Sequence, residues 1–361
     1  MLRPVDLPIA GSMKAPTPCA THRTIAKALG VSAVTVSLAL RNHPSIPERT
    51  RKRVRDEAKR QNYRPDPSVV KLMQHLRTRR QKNLTANLVA LRLNDGERRE
   101  YEEHVLAGVR RRAEELGFSL EVFEVRKGAK NQATLDRMLR ARGVEGVVLL
   151  PMTHPRELTG LLTWENVSVV ATSLSVLSPR FNTVVPNQFS NMFRLCERLA
   201  ELGKTRVGLT CTREHDAKVN HRFVSAYLWA AEIGPLESLP PLLFEALETL
   251  GDDFAGWVER EAPDVVVTAS DGLMVSMKKR LPAATARRLK WACTGASFEG
   301  ADVDIGVYEN PEEIGLAALE MLAGMVQRGE RGVPGWPRIT EIDGKLIGPW
   351  APRSANKKRV S

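Results

Sequence analysis

Ser32, Thr35, Ser37, Arg41 and Asn42 lie close together in the chain, interleaved with apolar residues. Hydroxyls, an amide and a guanidinium at such spacing can hydrogen-bond phosphate oxygens. Shortly after come Arg49, Arg51, Lys52, Arg53, Arg55, Lys59 and Arg60. A cationic run of this kind is either a solvated face or a phosphate-binding one. Covalent chemistry finds no comparable support. There is no P-loop, no HExxH and no GxSxG, and the GVEG after Arg142 is too short for a dinucleotide fingerprint. Cys19, Cys196, Cys211 and Cys293 form no CxxC pair and have no His at ligand spacing. Free thiols of a reducing compartment, no metal and no cofactor are the expectation.

The elements that must carry these polar groups are two short helices and a turn. Ile25, Ala26 and Leu29 make an apolar stripe at helical spacing; Gly30 breaks it; Val31, Val36 and Leu40 resume it. Gly30 suits a positive φ, Ser32 suits the N-cap of the second helix, and Ala26 is small where the helices cross. The pattern predicts a helix-turn-helix, which seats its second helix in the DNA major groove. A third helix is predicted from about Pro47 to Gln61, with Val54 and Ala58 one turn apart on its inner side and the cations on its other faces. Thr24 and Thr50 are candidate caps first and phosphate contacts second. Tyr63 and Pro65 close the unit.

The charge is distributed unevenly. Of the 361 residues, 1–82 hold 18 Lys and Arg against 5 Asp and Glu, and 83–361 hold 36 against 37. A basic head on a near-neutral body reads as a polyanion-binding unit joined to a domain with a different task. Ser68–Thr78 has a short helical pattern, and Arg79, Arg80 and Lys82 make a basic exit from it, as in a hinge that orders on DNA. Beyond Asn87 the apolar period changes. Strands are predicted at 88–93, 119–125, 146–150, 168–171, 206–210, 264–268, 290–294 and 304–307. Helices are predicted at Tyr101–Leu116, Gln132–Ala141, Arg156–Leu162, Asn187–Leu202, Val219–Ala231, Phe254–Glu261 and Pro311–Gln327. Strand–helix alternation over this length predicts two doubly wound parallel sheets. No apolar run reaches the ~20 residues that span a bilayer. The first residues lack the apolar core of a signal peptide, so a cytoplasmic location is expected.

The segments TIAKALGVSAVTVSLAL, ERTRKRV and NYRP resemble the head of LacI/GalR-family bacterial transcription regulators. YEEHVLAGVRRRAEELGFSLEVF, LAELGKTRVGLT and ENPEEIGLAALEML resemble segments of that family's sensor. The resemblance implies an all-α DNA-binding head and a periplasmic-binding-protein-like body of two α/β lobes around a small-molecule cleft. The expected divisions are a disordered lead at 1–20, the helix-turn-helix domain at 21–66, a hinge helix and linker at 67–84, the two-lobed effector-binding and dimerisation domain at 85–353, and a basic tail at 354–361. By the same resemblance Ala33, Val34 and Leu38 face base edges, with Ser32, Thr35, Ser37, Arg41, Asn42 and Tyr63 on phosphates. The three base-facing residues are apolar, which leaves thymine methyl groups as their readout and predicts T/A at those positions. Burial is the competing reading for Leu38. Leu72 matches the family's minor-groove wedge, Lys71 flanks it, and Leu76 is its rival because this segment is about one turn longer.

In the cleft the resemblance points to Tyr101, Arg222, Asp271 and Ser297. A surface position competes for Arg222, and an N-cap role competes for Asp271. Ser297 stands where the family has an Asp, and Pro186 replaces another, so acceptors that usually hold sugar hydroxyls are missing and the expectation is an acidic ligand, a more apolar one or none, in place of an ordinary hexose. The resulting expectation is a homodimeric, sequence-specific regulator, a repressor, that binds a pseudo-palindromic operator and answers to a small molecule. A regulator with a degenerate cleft, a periplasmic-type solute-binding protein and a nonspecific nucleic-acid binder are the alternatives.

Overall fold

The computed structural model describes residues 21–40, 43, 45–61, 63, 86–94, 100–126, 132–237, 239–250, 253–296 and 302–352. Arg41, Asn42, Lys71, Leu72, Leu76, Ser297, the lead at 1–20, the hinge at 67–84 and the tail at 354–361 lie outside them. The chain divides into two compact units, 1–83 and 84–361.

The head consists of α1 (His22–Leu29), α2 (Ala33–Leu40) and α3 (Glu48–Arg60). Thr21 caps α1 through a reciprocal pair: its hydroxyl accepts from the Thr24 amide, and the Thr24 hydroxyl accepts from the Thr21 amide. Thr24 therefore completes a capping box and Thr21 is the cap. Pro47 starts α3, so Thr50 is not its cap. Gly30 ends α1 with φ 64° and ψ 33°, a left-handed conformation that a Cβ would disfavour. Ile25, Ala26, Val36, Ala39, Val54 and Ala58 form the head's core, flanked by Leu29, Val31, Leu40, Ile46 and Tyr63.

The first lobe holds a six-stranded sheet in the order β13-β7-β5-β3-β1-β2. Its strands are β1 (Asn87–Asn94), β2 (Ser119–Arg126), β3 (Val144–Leu149), β5 (Ser168–Ala171), β7 (Asn182–Pro186) and β13 (Ile339–Ile342), all parallel. The short β4 (Arg156–Glu157) and β6 (Val176–Ser178) pair beside it. Successive β1 residues serve opposite faces. Leu88 and Ala90 meet α4 (Glu100–Leu116) and α12 (Pro311–Arg328), while Val89 and Leu91 meet Leu135 and Leu139 of α5 (Gln132–Ala141), with Trp164 and Phe181. Burial on both faces is what a continuous Leu-Val-Ala-Leu run requires of a parallel strand. Helices α4 and α12 touch backbone to backbone: a Cβ at Gly108 would lie 1.9 Å from the Glu312 carbonyl oxygen, and one at Gly315 2.0 Å from that of Val105.

The second lobe repeats the plan with the order β14-β12-β11-β10-β8-β9. Its strands are β8 (Val207–Thr212), β9 (Leu242–Phe244), β10 (Val265–Thr268), β11 (Lys290–Ala296), β12 (Ile305–Tyr308) and β14 (Lys345–Ile347); only β14 runs antiparallel. Val265 and Val267 face a core shared with α6 (Gln188–Glu201) and α8 (Arg222–Ile233); Val266 faces Phe254 and Trp257 of α9 (Asp253–Glu261) and Met274 of α10 (Asp271–Lys278). The other helices are α7 (Arg213–Lys218) and α11 (Ala283–Arg288). Cys196, Cys211 and Cys293 are buried free thiols.

Two predicted helices are corrected. Arg156–Leu162 is β4 followed by a turn, because Gly160 interrupts the apolar spacing and the Leu158 carbonyl is taken by Trp164 Nε1 at 3.0 Å. The predicted Val219–Ala231 helix begins only at Arg222, as α8, after a turn that separates it from α7: Asn220 and His221 are left-handed, and Asp216 accepts from the Val224 amide and from His221 Nδ1.

Candidate functional site

The angle between α1 and α2 is 106°, within the range of a helix-turn-helix. Ser32 caps α2 as predicted, its Oγ accepting from the Thr35 amide at 2.9 Å and lying 2.9 Å from Thr35 Oγ1. Val34 is 67% exposed, which is unusual for a branched apolar residue at the start of a helix. Thr35, Ser37 and Leu38 are half-buried, and Leu38 is not part of the head's core. Ala33 is also half-buried but packs against the core, so it is less open than its place off the apolar stripe suggests. Tyr63 packs on the same core, and its hydroxyl lies 2.9 Å from His22 Nε2.

Helix α3 buries Val54, Glu57 and Ala58 and exposes most of its cations. Arg51 and Arg55 both reach Glu48 at 2.7 Å, and Arg60 reaches Glu57 at 2.6 Å. Arg49, Lys52, Arg53 and Lys59 have no acidic partner among the described residues. Unpaired cations keep their charge available for phosphate at little desolvation cost.

Residues 22–66 match the family model for bacterial regulatory proteins of the lacI family. Over that stretch the chain is similar to lacI-family regulatory proteins. Solved structures of similar fold extend over most of the chain. The transcriptional regulator CelR in complex with cellobiose is 17% identical, with a TM-score of 0.55, over 91% of this chain and 98% of that one. The Lac repressor bound to ONPG is 13% identical, with a TM-score of 0.53, over 92% and 100%. The trehalose repressor from Escherichia coli is 17% identical, with a TM-score of 0.54, over 73% and 100%. No curated protein sequence matches the chain. Among the described residues, no single helix is long and apolar enough to cross a membrane.

In the body, a cavity of about 220 Å³ opens between the lobes. Its walls come from the carboxyl ends of strands: Thr172 after β5, Pro186 at the end of β7, Ser270 after β10, Gly295 in β11 and Glu309 after β12. Open α/β sheets place ligands at this edge. The chain passes between lobes three times beside it, from β7 to α6, from β12 to α12 and from β13 to β14. The passes are tied together. Asn187 caps α6 and donates to Asp343 Oδ1 at 2.9 Å, and Asn191 Oδ1 accepts from the Gly344 amide at 2.8 Å.

Tyr101 of α4 lines the cavity as predicted. Burial and the neighbouring Glu309 carboxyl push its hydroxyl well above the usual range. Arg222 and Asp271 do not line it. Arg222, at the start of α8, donates to Glu341 of β13 and so links the two lobes. Asp271 is the first residue of α10; Ser270 is the cap, accepting from the Leu273 amide at 3.2 Å. Two further links join the lobes: His154 Nδ1 lies 2.6 Å from Glu214 Oε1, and Lys218 Nζ donates to the Met152 carbonyl at 3.4 Å.

Sequence reasoning missed Gln188, Lys218 and Glu309, all of which line the cavity. Glu309 is 8% exposed, and burial pushes its carboxyl up to about 8, with Lys218 pulling the other way. It stands just before Asn310-Pro311, which begin a helix after a strand, so its place at a lobe crossing was open to inference from the ENPEEIG segment. Gln188 directly follows the Pro-Asn departure from the family pattern. Nothing in the local sequence marks Lys218.

Proposed function

We propose that the chain is a repressor that binds a pseudo-palindromic DNA operator as a homodimer, in the cytoplasm, and answers to a small molecule held between its lobes. The observation that carries the DNA half is the exposed start of α2. Val34 projects there beside hydroxyls, next to a helix whose Arg49, Lys52, Arg53 and Lys59 lack acidic partners. Ala33, Val34 and Leu38 read thymine methyl groups, and Ser32, Thr35, Ser37, Arg41, Asn42 and Tyr63 hold phosphates. Leu72, or Leu76 one turn on, wedges the minor groove with Lys71 beside it.

The effector half is supported by the cavity at the lobe crossings and by the three polar links that bridge the lobes. A molecule seated there acts only by favouring one lobe arrangement over another. The solved regulators named above include complexes with cellobiose and ONPG, which fits a ligand-responsive body in this chain as well.

Footprinting of the full-length chain on genomic DNA tests the first half. The expected result is protection of discrete pseudo-palindromes, with affinity falling by a log–log salt slope of roughly −0.9 per phosphate neutralised. Uniform coverage, or a flat salt profile, refutes the reading. For the second half, Ser173→Trp places a bulky ring at the cavity in imitation of a ligand. A change in operator affinity is expected; unaltered affinity, with the lobes still folded, counts against an effector site.

A further inference from the structure

Arg92 of β1, only 5% exposed, serves three carboxylates: Glu102, Glu103 at 2.8 Å and Glu124 at 3.1 Å. Of the three carboxylates only Glu102 lines the cavity, with the Arg92 guanidinium behind it. Opposite it, Glu309 accepts no hydrogen bond from any described residue. The ammonium of Lys218 acts on Glu309 but also donates to the Met152 carbonyl. Gln188, 6% exposed, has its Oε1 buried with no donor in reach. The remaining walls are largely apolar, with Met152, Leu174, Val185, Val219 and Phe223 among them. Phe223 stacks on His215 with ring centroids 5.5 Å apart.

A buried carboxyl and a buried amide without partners are costly unless a ligand supplies them. A polyhydroxy sugar presents few apolar faces to these walls and no positive charge to the Glu309 carboxyl. An organic anion would meet the Glu102 carboxylate at close range in a poorly screened site and bring no donor to Gln188 Oε1. A cation with several N–H donors satisfies the carboxyl and the amide together, Glu309 releasing its proton to solvent as it pairs, and an apolar frame fills the rest.

We propose that the cleft takes a compact organic cation, an amine or amidine on an apolar frame, seated against Glu309 with an N–H turned toward Gln188. This rests on the reading of the cleft as an effector site and adds the chemistry of the ligand.

Calorimetric titration of the full-length chain with benzamidine, benzoate and glucose, three probes of similar size, tests it. Benzamidine is expected to bind tightest. Glu309→Gln weakens it by about tenfold or more through loss of a charge-assisted hydrogen bond. Glu309→Asp, which keeps the charge, weakens it less. Lys218→Met removes a competing cation and strengthens binding severalfold. Circular dichroism confirms that each variant is folded. Benzoate or glucose binding while benzamidine stays silent overturns the cation and leaves the cleft reading intact. Benzamidine affinity unchanged in Glu309→Gln overturns it too, as does silence from all three probes. The cleft's role as an effector site is judged independently by operator affinity in Ser173→Trp.

Discussion

Head and body of this chain solve the folding problem with different means. The head's core consists of Ile25, Ala26, Val36, Ala39, Val54 and Ala58, and half of those are alanine. It relies on local devices: a capping box at Thr21, a left-handed Gly30 and a Ser32 cap. The body buries each parallel sheet on both faces, with Val, Leu and aromatic side chains above and below every central strand. Small domains bury less of their surface and are correspondingly marginal. In this molecule the unit proposed to meet DNA has the thin margin, so single substitutions there would reach function through folding as readily as through contact.

The largest effect that would break the comparison is in the head. Ile25→Ala removes a fully buried side chain and is expected to cost about 2–5 kcal/mol. Scanning calorimetry of the full chain should then show an early head transition and an unmoved body transition. A single shifted transition would mean that the two units share their stability. Next comes Gly315→Ala in the body. The new Cβ would meet the Val105 carbonyl oxygen at 2.0 Å, forcing α4 and α12 apart at about 1–3 kcal/mol. The body transition should fall while operator contacts in the head persist.

A third prediction concerns pH. The unfolded chain releases the Glu309 proton in the ordinary carboxylate range, and the folded chain holds it up to about 8. Across that window the folded state binds more protons, so this group makes wild-type stability decline as pH rises. The groups facing Glu309 are Lys218, Tyr101 and Cys293, with Glu102 and His215 on the same cavity. Glu309→Gln cannot ionise. Its body transition is expected to lie a few degrees above wild type at about pH 8.5 and to converge with it at about pH 5. A constant offset at both values would assign the effect to packing. The smallest effect sharpens the head: Ser32→Ala should cost about 1 kcal/mol by freeing the Thr35 amide, while Ser32→Gly costs only a few tenths. Chemical denaturation followed by head-specific exchange would measure both.

The head was legible because everything it needs is local. The Ile25–Leu40 stripe, Gly30 and Ser32 lie within a few turns of one another, and the match to the lacI family falls on those residues. Most of the sheet strands were legible as apolar runs, such as SVVA in β5. The missed ones were the edge strands β9, β13 and β14 and the interior β7: β13 has three exposed residues in four, and β7 finishes on Pro186. Neither offers an apolar run or a clean alternation to detect. The cleft was the least legible part. Tyr101, Gln188, Lys218 and Glu309 come from four separate elements, and only packing makes neighbours of them. Resemblance pointed to Tyr101 among these, but also to Arg222, which the structure ties to Glu341.

The triple passage of the chain between lobes has a mechanical corollary. Gln188 and Glu309 stand on two of those passes, so anything bound to them sits at a fulcrum and not on a lever arm. A sub-ångström adjustment there rotates whole sheets and grows with distance from the pivot. A guest of modest size, making few contacts, would have enough leverage to reset the far rims of both lobes.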